Sequence, residues 1–199
     1  MKYFNEYIRL YRYLHDPILF KEKRDKVTED ILFFLETYVN LVGVQVERLR
    51  KDEHEMMEAC KLPELYSMEK RVAFSKHTGD IHFYIICIDK VIKLAFELAN
   101  QFDDECLKEI VKKYEEITLF RKARNNLEHL DEKLIKTDWF RKDMGATINY
   151  KLNVNGTEID YSNNVVEKVH ALYEELIVRI DLIIEPRKAQ IDELWARFS

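Results

Sequence analysis

Apolar residues recur at the three-to-four-residue interval of an α-helix through most of the chain. Tyr3, Phe4, Tyr7, Ile8, Tyr11 and Leu14 form an aromatic-rich stripe, which His15-Asp16-Pro17 ends. Thr28 is the expected N-cap of the next helix, with Glu29 and Asp30 suited to its positive end. From there Ile31, Leu35, Tyr38, Val42, Val46 and Leu49 carry an apolar face toward Cys60, and Pro63 stops it. Gly43 costs about 1 kcal/mol relative to Ala in mid-helix, so close packing is expected there.

Thr78-Gly79-Asp80 is read as the cap of a third helix, with Ile81, Tyr84, Ile85, Ile88, Ile92, Ala95 and Ala99 on its inner face. Asp103 and Asp104 open a fourth, whose buried line is Leu107, Ile110, Val111, Tyr114, Ile117, Leu127, Leu130 and Leu134. A last long helix starts near Asn163 or Asn164 and runs through Val165, Val166, Val169, Leu172, Tyr173, Leu176, Ile180 and Ile184. Pro186 kinks or restarts it as a terminal segment ending in Leu194, Trp195 and Phe198.

One stretch changes period. Residues 146–154 alternate apolar and polar, Asn155-Gly156 follows, and residues 157–161 alternate again. Asn-Gly between alternating runs is a strong hairpin signal, because both central residues of a type I′ turn need positive φ. Such a hairpin is marginal alone and must lie on the bundle or on a partner. The expected fold is all-α: an antiparallel bundle of about five to six helices with one β-hairpin inserted at about 146–161.

Composition narrows the class. The chain has 199 residues, a length suited to a single helical domain over 1–199. Only 4 glycines and 3 prolines leave too few turn residues for an all-β sandwich, while 47% hydrophobic content argues against disorder. Ile81 to Phe96, the most apolar stretch, is interrupted by His82, Asp89, Lys90 and Lys93, so no membrane span is expected. The start, Met1 to Glu6, has no apolar run for secretion, and Cys60, Cys87 and Cys106 lack any Cys-x-x-Cys spacing. A reduced cytoplasmic setting is expected, with neither disulfides nor a zinc cage. The net charge of −5 argues against a duplex-DNA binder, though not against a local basic patch.

The richest candidate chemistry lies in Arg121-Lys-Ala-Arg-Asn-Asn-Leu-Glu-His-Leu-Asp131. An arginine with a histidine five or six positions later occurs four times, at Arg9/His15, Arg48/His54, Arg71/His77 and Arg124/His129. Only Arg124 is followed by an asparagine, Asn125, and only that pair falls on a late amphipathic helix. This stretch resembles the R-x4–6-H motif of the HEPN superfamily, small helical-bundle proteins that include metal-independent ribonucleases of toxin–antitoxin and anti-phage systems.

The resemblance implies RNA cleavage by 2′-OH transesterification, with no cofactor and no metal. His129 is the implied general acid or base, its ordinary pKa near 6.5 suiting either role. Arg124 is the implied ligand of the phosphorane oxygens, and Asn125 is implied to orient the imidazole or to bind phosphate by hydrogen bond. Arg121 and Lys122 add a positive patch for substrate binding. On one straight helix Arg124 points roughly 140° away from His129. The resemblance implies a homodimer, which would bring Arg124 near the second subunit's His129. It also allows an antitoxin or other protein partner.

Plainer readings stand beside this one. Arg124 and Glu128 are spaced as a surface ion pair, and Asn125 and His129 as a structural hydrogen bond. The alternative is a non-catalytic helical dimer serving as a protein-protein or nucleotide-binding module, with the N-terminal aromatics as core or interface. His54 and Glu58 share a helix face as metal ligands do, with His77 and His82 as further nitrogens, but a solvated charged face explains the spacing equally. His82 and His170 are expected as core or rim residues, and Cys87 as a small buried hydrophobe.

Overall fold

A computed structural model describes residues 2–14, 25–63, 67–119, 124, 150–154 and 157–197. They form an all-α bundle with one inserted hairpin, the class that periodicity predicts. The helices are α1 (Glu6–Leu14), α2 (Asp25–Cys60), α3 (Met68–Phe102), α4 (Glu105–Lys113), α5 (Asn163–Ile184) and α6 (Lys188–Ala196). Strands β1 (Lys151–Val154) and β2 (Thr157–Asp160) make the hairpin, and 3-10 turns occupy Glu115–Leu119 and Glu185–Arg187. No described helix is long and apolar enough to cross a membrane.

The chain divides into two compact units. The first comprises Met1–Asn40, Lys90–Glu115 and Val169–Ser199; the second comprises Leu41–Asp89 and Glu116–Lys168.

In the first unit, Leu10, Leu35, Leu98, Leu107, Leu172 and Ile180 are fully buried. Polar groups then fix how the helices enter. The Glu36 carboxylate accepts the backbone N–H groups of Glu6 and Tyr7 at 2.6 and 3.0 Å, and the Tyr173 hydroxyl at 2.6 Å. An α2 side chain thereby caps α1, satisfying amides that the first turn leaves without partners. Asn40 grips Phe4 from both sides, accepting its N–H at 2.9 Å and donating to its carbonyl at 3.0 Å. Arg9 makes a two-pronged pair with Asp181, both contacts at 2.7 Å. Asp104 caps α4 through the Leu107 N–H at 2.9 Å and receives Arg179 at 3.0 and 2.6 Å.

In the second unit, the end of α2 and the start of α3 run antiparallel, as the Arg48–Asp80 and Lys76–Glu55 contacts show. Val42, Val46, Leu49, Ile81, Ile85 and Ile88 supply its helical core. The hairpin pairs Lys151 with Asp160, Leu152 with Ile159, Asn153 with Glu158 and Val154 with Thr157. The strands break between Val154 and Thr157, on either side of Asn155-Gly156, which lie outside the described residues. Leu152 and Ile159 are buried on one face, while Lys151 and Glu158 pair at 2.7 Å on the other. The Tyr84 hydroxyl, donating to the Asp160 carbonyl at 2.7 Å, ties the hairpin to α3.

Several boundaries differ from expectation. Helix α2 begins at Asp25, so Thr28 is a fully buried interior residue and not the cap. Helix α3 begins at Met68, where the Ser67 hydroxyl accepts the Lys70 N–H at 3.2 Å, and it passes straight through Thr78-Gly79-Asp80. The buried face Ala73, His77, Asp80, Tyr84 is continuous at helical spacing, and a cap signal of about 1 kcal/mol does not interrupt it. A Cβ at Gly79 would meet nothing within 4 Å, so packing does not require that glycine.

Helix α4 stops at Lys113, where Tyr114 leaves helical geometry, and does not continue to residue 134; Leu127, Leu130 and Leu134 lie outside the described residues. Strand β1 begins at Lys151, after Tyr150 turns with φ of 63°; residues 146–149 lie outside the described residues. The N-terminal stripe also splits. Phe4, Leu10, Tyr13 and Leu14 face inward, while Tyr3, Ile8 and Tyr11 are exposed. Cap, stop and restart at Asp104, Cys60 and Pro186 fall where the sequence puts them.

Candidate functional site

Of the motif residues, Arg121, Lys122, Asn125 and His129 lie outside the described residues, and Arg124 lies within them. The Arg124 guanidinium forms an ion pair with the Asp89 carboxylate on α3. Asp89 exposes 4% of its side chain and Arg124 exposes 23%. A carboxylate that deep requires a counter-charge, and a planar guanidinium supplies charge and directed donors together. The partner expected by helical spacing, Glu128, lies outside the described residues; Asp89 is 35 positions upstream. Local spacing holds no signal for that partner.

A second constellation emerges that sequence reading did not assemble. Asp52, Glu53, His77, Asp80 and Tyr161 are all buried within the second unit. Asp80 receives Arg48 at 2.9 Å, and Lys76 stands 3.6 Å from Asp52. The Asp80 carboxyl is a close neighbour of Asp52 in this cluster. Burial first, then Asp80, holds Asp52 above the usual carboxylate range, with Lys76 opposing. Burial also raises Glu53, with the nearby Tyr161 and Arg50 opposing. At His77 burial pushes the imidazole below its ordinary value, and Asp80 pulls it back up. Neither His77 ring nitrogen has a hydrogen-bond partner among the described residues, and its ring meets Tyr161 edge-on at 6.3 Å.

This arrangement gathers carboxyl and imidazole groups away from water. The signal for it was present as Asp52-Glu53 and His77-x-x-Asp80 on inward faces, but the first acidic pair reads equally as solvated charge.

The other candidates resolve simply. His54 and Glu58 are 3.9 Å apart on an exposed face. No group of three or more His, Cys, Asp or Glu side chains fit to hold a metal gathers among the described residues. His82 is half-buried, and His170 is half-buried with its ring edge-on to Phe4 at 5.0 Å. Cys87 is the expected buried hydrophobe, its thiol pushed up to about 12 by burial, and Cys60 and Cys106 are exposed free thiols. Compared with protein-family models, curated proteins and solved structures, the chain matches none of them.

Proposed function

We propose that the chain is a HEPN-like, metal-independent endoribonuclease of the toxin or defence type, acting in the cytoplasm as a homodimer. The observation that carries this reading is Arg124: the motif arginine is anchored on a buried carboxylate, which restricts its guanidinium before any phosphate arrives. The all-α bundle is the fold that the motif calls for. In this reading His129 moves the proton at the 2′-OH or the leaving 5′-oxygen, Arg124 stabilises the phosphorane, and Asn125 orients the imidazole. Arg121 and Lys122 bind the flanking phosphates, and RNA leaves with a 2′,3′-cyclic phosphate. An antitoxin or similar protein is the expected regulator.

The test is incubation of labelled RNA with the full chain in EDTA, beside His129→Ala and Arg124→Lys, with end-group analysis. Wild type should cleave and leave cyclic phosphate. His129→Ala should lose activity at least about a hundredfold, within the usual contribution of a general acid or base, while remaining folded. Unchanged cleavage by His129→Ala overturns the assignment. Absence of cleavage by folded wild type favours the second reading, a non-catalytic helical interaction module. That reading has its own observation: Tyr11, Phe33 and Phe34 of the first unit are exposed, with Tyr7 and Phe33 in ring contact at 5.2 Å.

A further inference from the structure

The second unit carries a surface groove of about 560 Å³ between the end of α2 and the start of α3. Its floor is made low by Ala59 and Ala73, and its apolar walls are Leu62 and Val72, which are 40% and 51% exposed. Glu55, Glu58 and Glu69 line it, with Lys76 as the sole cation among its lining residues. We infer that this groove is a docking site for a cationic amphipathic helix of a partner protein, with aliphatic side chains in the trough and lysine or arginine against the glutamates.

The geometry is that of helix-in-groove recognition: two antiparallel helices leave a trough that a third helix fills with residues spaced three and four apart. Its volume lies in the range that accepts several aliphatic groups, roughly 300–1,000 Å³ for binding clefts. Charge selects the occupant. Glu69 is exposed and has no ion pair among the described residues. Glu58 and Glu55 are engaged by Lys61 and Lys76, each at 2.5 Å, in solvent-exposed pairs. Such exposed, screened pairs contribute little, so a partner's cation replaces or joins them readily. A second copy of this chain is the poorer occupant, because its net charge of −5 opposes self-association at an acidic rim. This inference is independent of the nuclease reading.

The test is fluorescence anisotropy of the full chain with a labelled helix-forming peptide of leucine and lysine, leucines placed every third or fourth residue. A companion peptide has glutamate in place of lysine. The lysine peptide should bind, weaken as salt rises, and out-compete the glutamate peptide. Val72→Asp and the double variant Glu58→Lys/Glu69→Lys should each weaken it about tenfold or more, the range for groove-centre residues. The control Glu97→Lys/Glu193→Lys, with the same change in net charge on exposed positions elsewhere, should bind as wild type does. Circular dichroism establishes that each variant is folded. Equal loss in the control, equal binding of the glutamate peptide, or no binding overturns the inference. So does self-association, seen by sedimentation, that Val72→Asp abolishes.

Discussion

The two units solve the same architectural problem with opposite treatments of buried polar groups. In the first unit, Glu36 is 7% exposed and its carboxylate meets two backbone amides and a tyrosine hydroxyl. In the second unit, Gln45 Oε1, Asp52 Oδ2, Thr78 Oγ1, His82 Nε2 and both nitrogens of His77 are buried without a hydrogen-bond partner among the described residues. The first pattern spends its polar groups on position: Glu36 and Asn40 fix where α1 begins, and Asp104 with Arg179 fixes α4 to α5. The second leaves buried polar atoms without such a use, both nitrogens of His77 among them. A satisfied buried group is costly to remove, whereas an unsatisfied one can be replaced by an apolar group with little loss or a gain.

Breaking the first pattern should give the largest effect. Glu36→Ala strands the Glu6 and Tyr7 amides and the Tyr173 hydroxyl, so stability by urea denaturation should fall by about 3 kcal/mol. A loss below about 1 kcal/mol would remove the distinction drawn between the units. Tyr173→Phe, which takes away only one donor, should cost less than Glu36→Ala. Asp104→Ala removes a cap and a two-pronged arginine contact, and a loss of about 1–2 kcal/mol is expected.

The second unit is sharpened by pH. Because burial depresses the His77 imidazole, its contribution is fully present above the ordinary value near 6.5 and is lost as pH falls toward the lower folded value. Asp52 acts in the opposite sense: its raised folded value gives stability that is present below about 3.8 and is lost as pH rises through that folded value. Thermal unfolding followed across the acid range should therefore show a slope that His77→Phe flattens below pH 6.5. An unaltered slope would mean that His77 is not held neutral. The smallest effect is at neutral pH, where His77→Phe should lie within about 1 kcal/mol of wild type, since it strands no hydrogen-bond partner.

Punctuation by proline, Asn-Gly and an aspartate cap was legible along the chain. Helix α2 ends at Cys60 ahead of Pro63, the strands flank Asn155-Gly156, Asp104 caps α4, and α5 gives way at Pro186. Each of these depends on dihedral limits or hydrogen bonds within a few residues. The readings that failed were local signals set against extended burial. Thr78-Gly79-Asp80 resembles a helix start, but several side chains buried along one face outweigh a cap of about 1 kcal/mol. The cap that α3 uses is Ser67, whose hydroxyl accepts the Lys70 N–H.

The candidate chemistry divides on the same line. Arg124, Asn125 and His129 stand out by spacing alone, because a motif is a short-range pattern. Asp89, which engages Arg124, and the meeting of the Asp52 and His77–Asp80 faces with Tyr161 lie beyond any such short-range pattern. The amino-acid sequence by itself determined the helical class, the place of the hairpin, the main stops, and which residues carry candidate chemistry. Only the tertiary structure decided which buried polar groups acquire partners. A hydrogen bond or ion pair between residues tens of positions apart is made when packing brings their elements together, and local periodicity holds no record of that meeting.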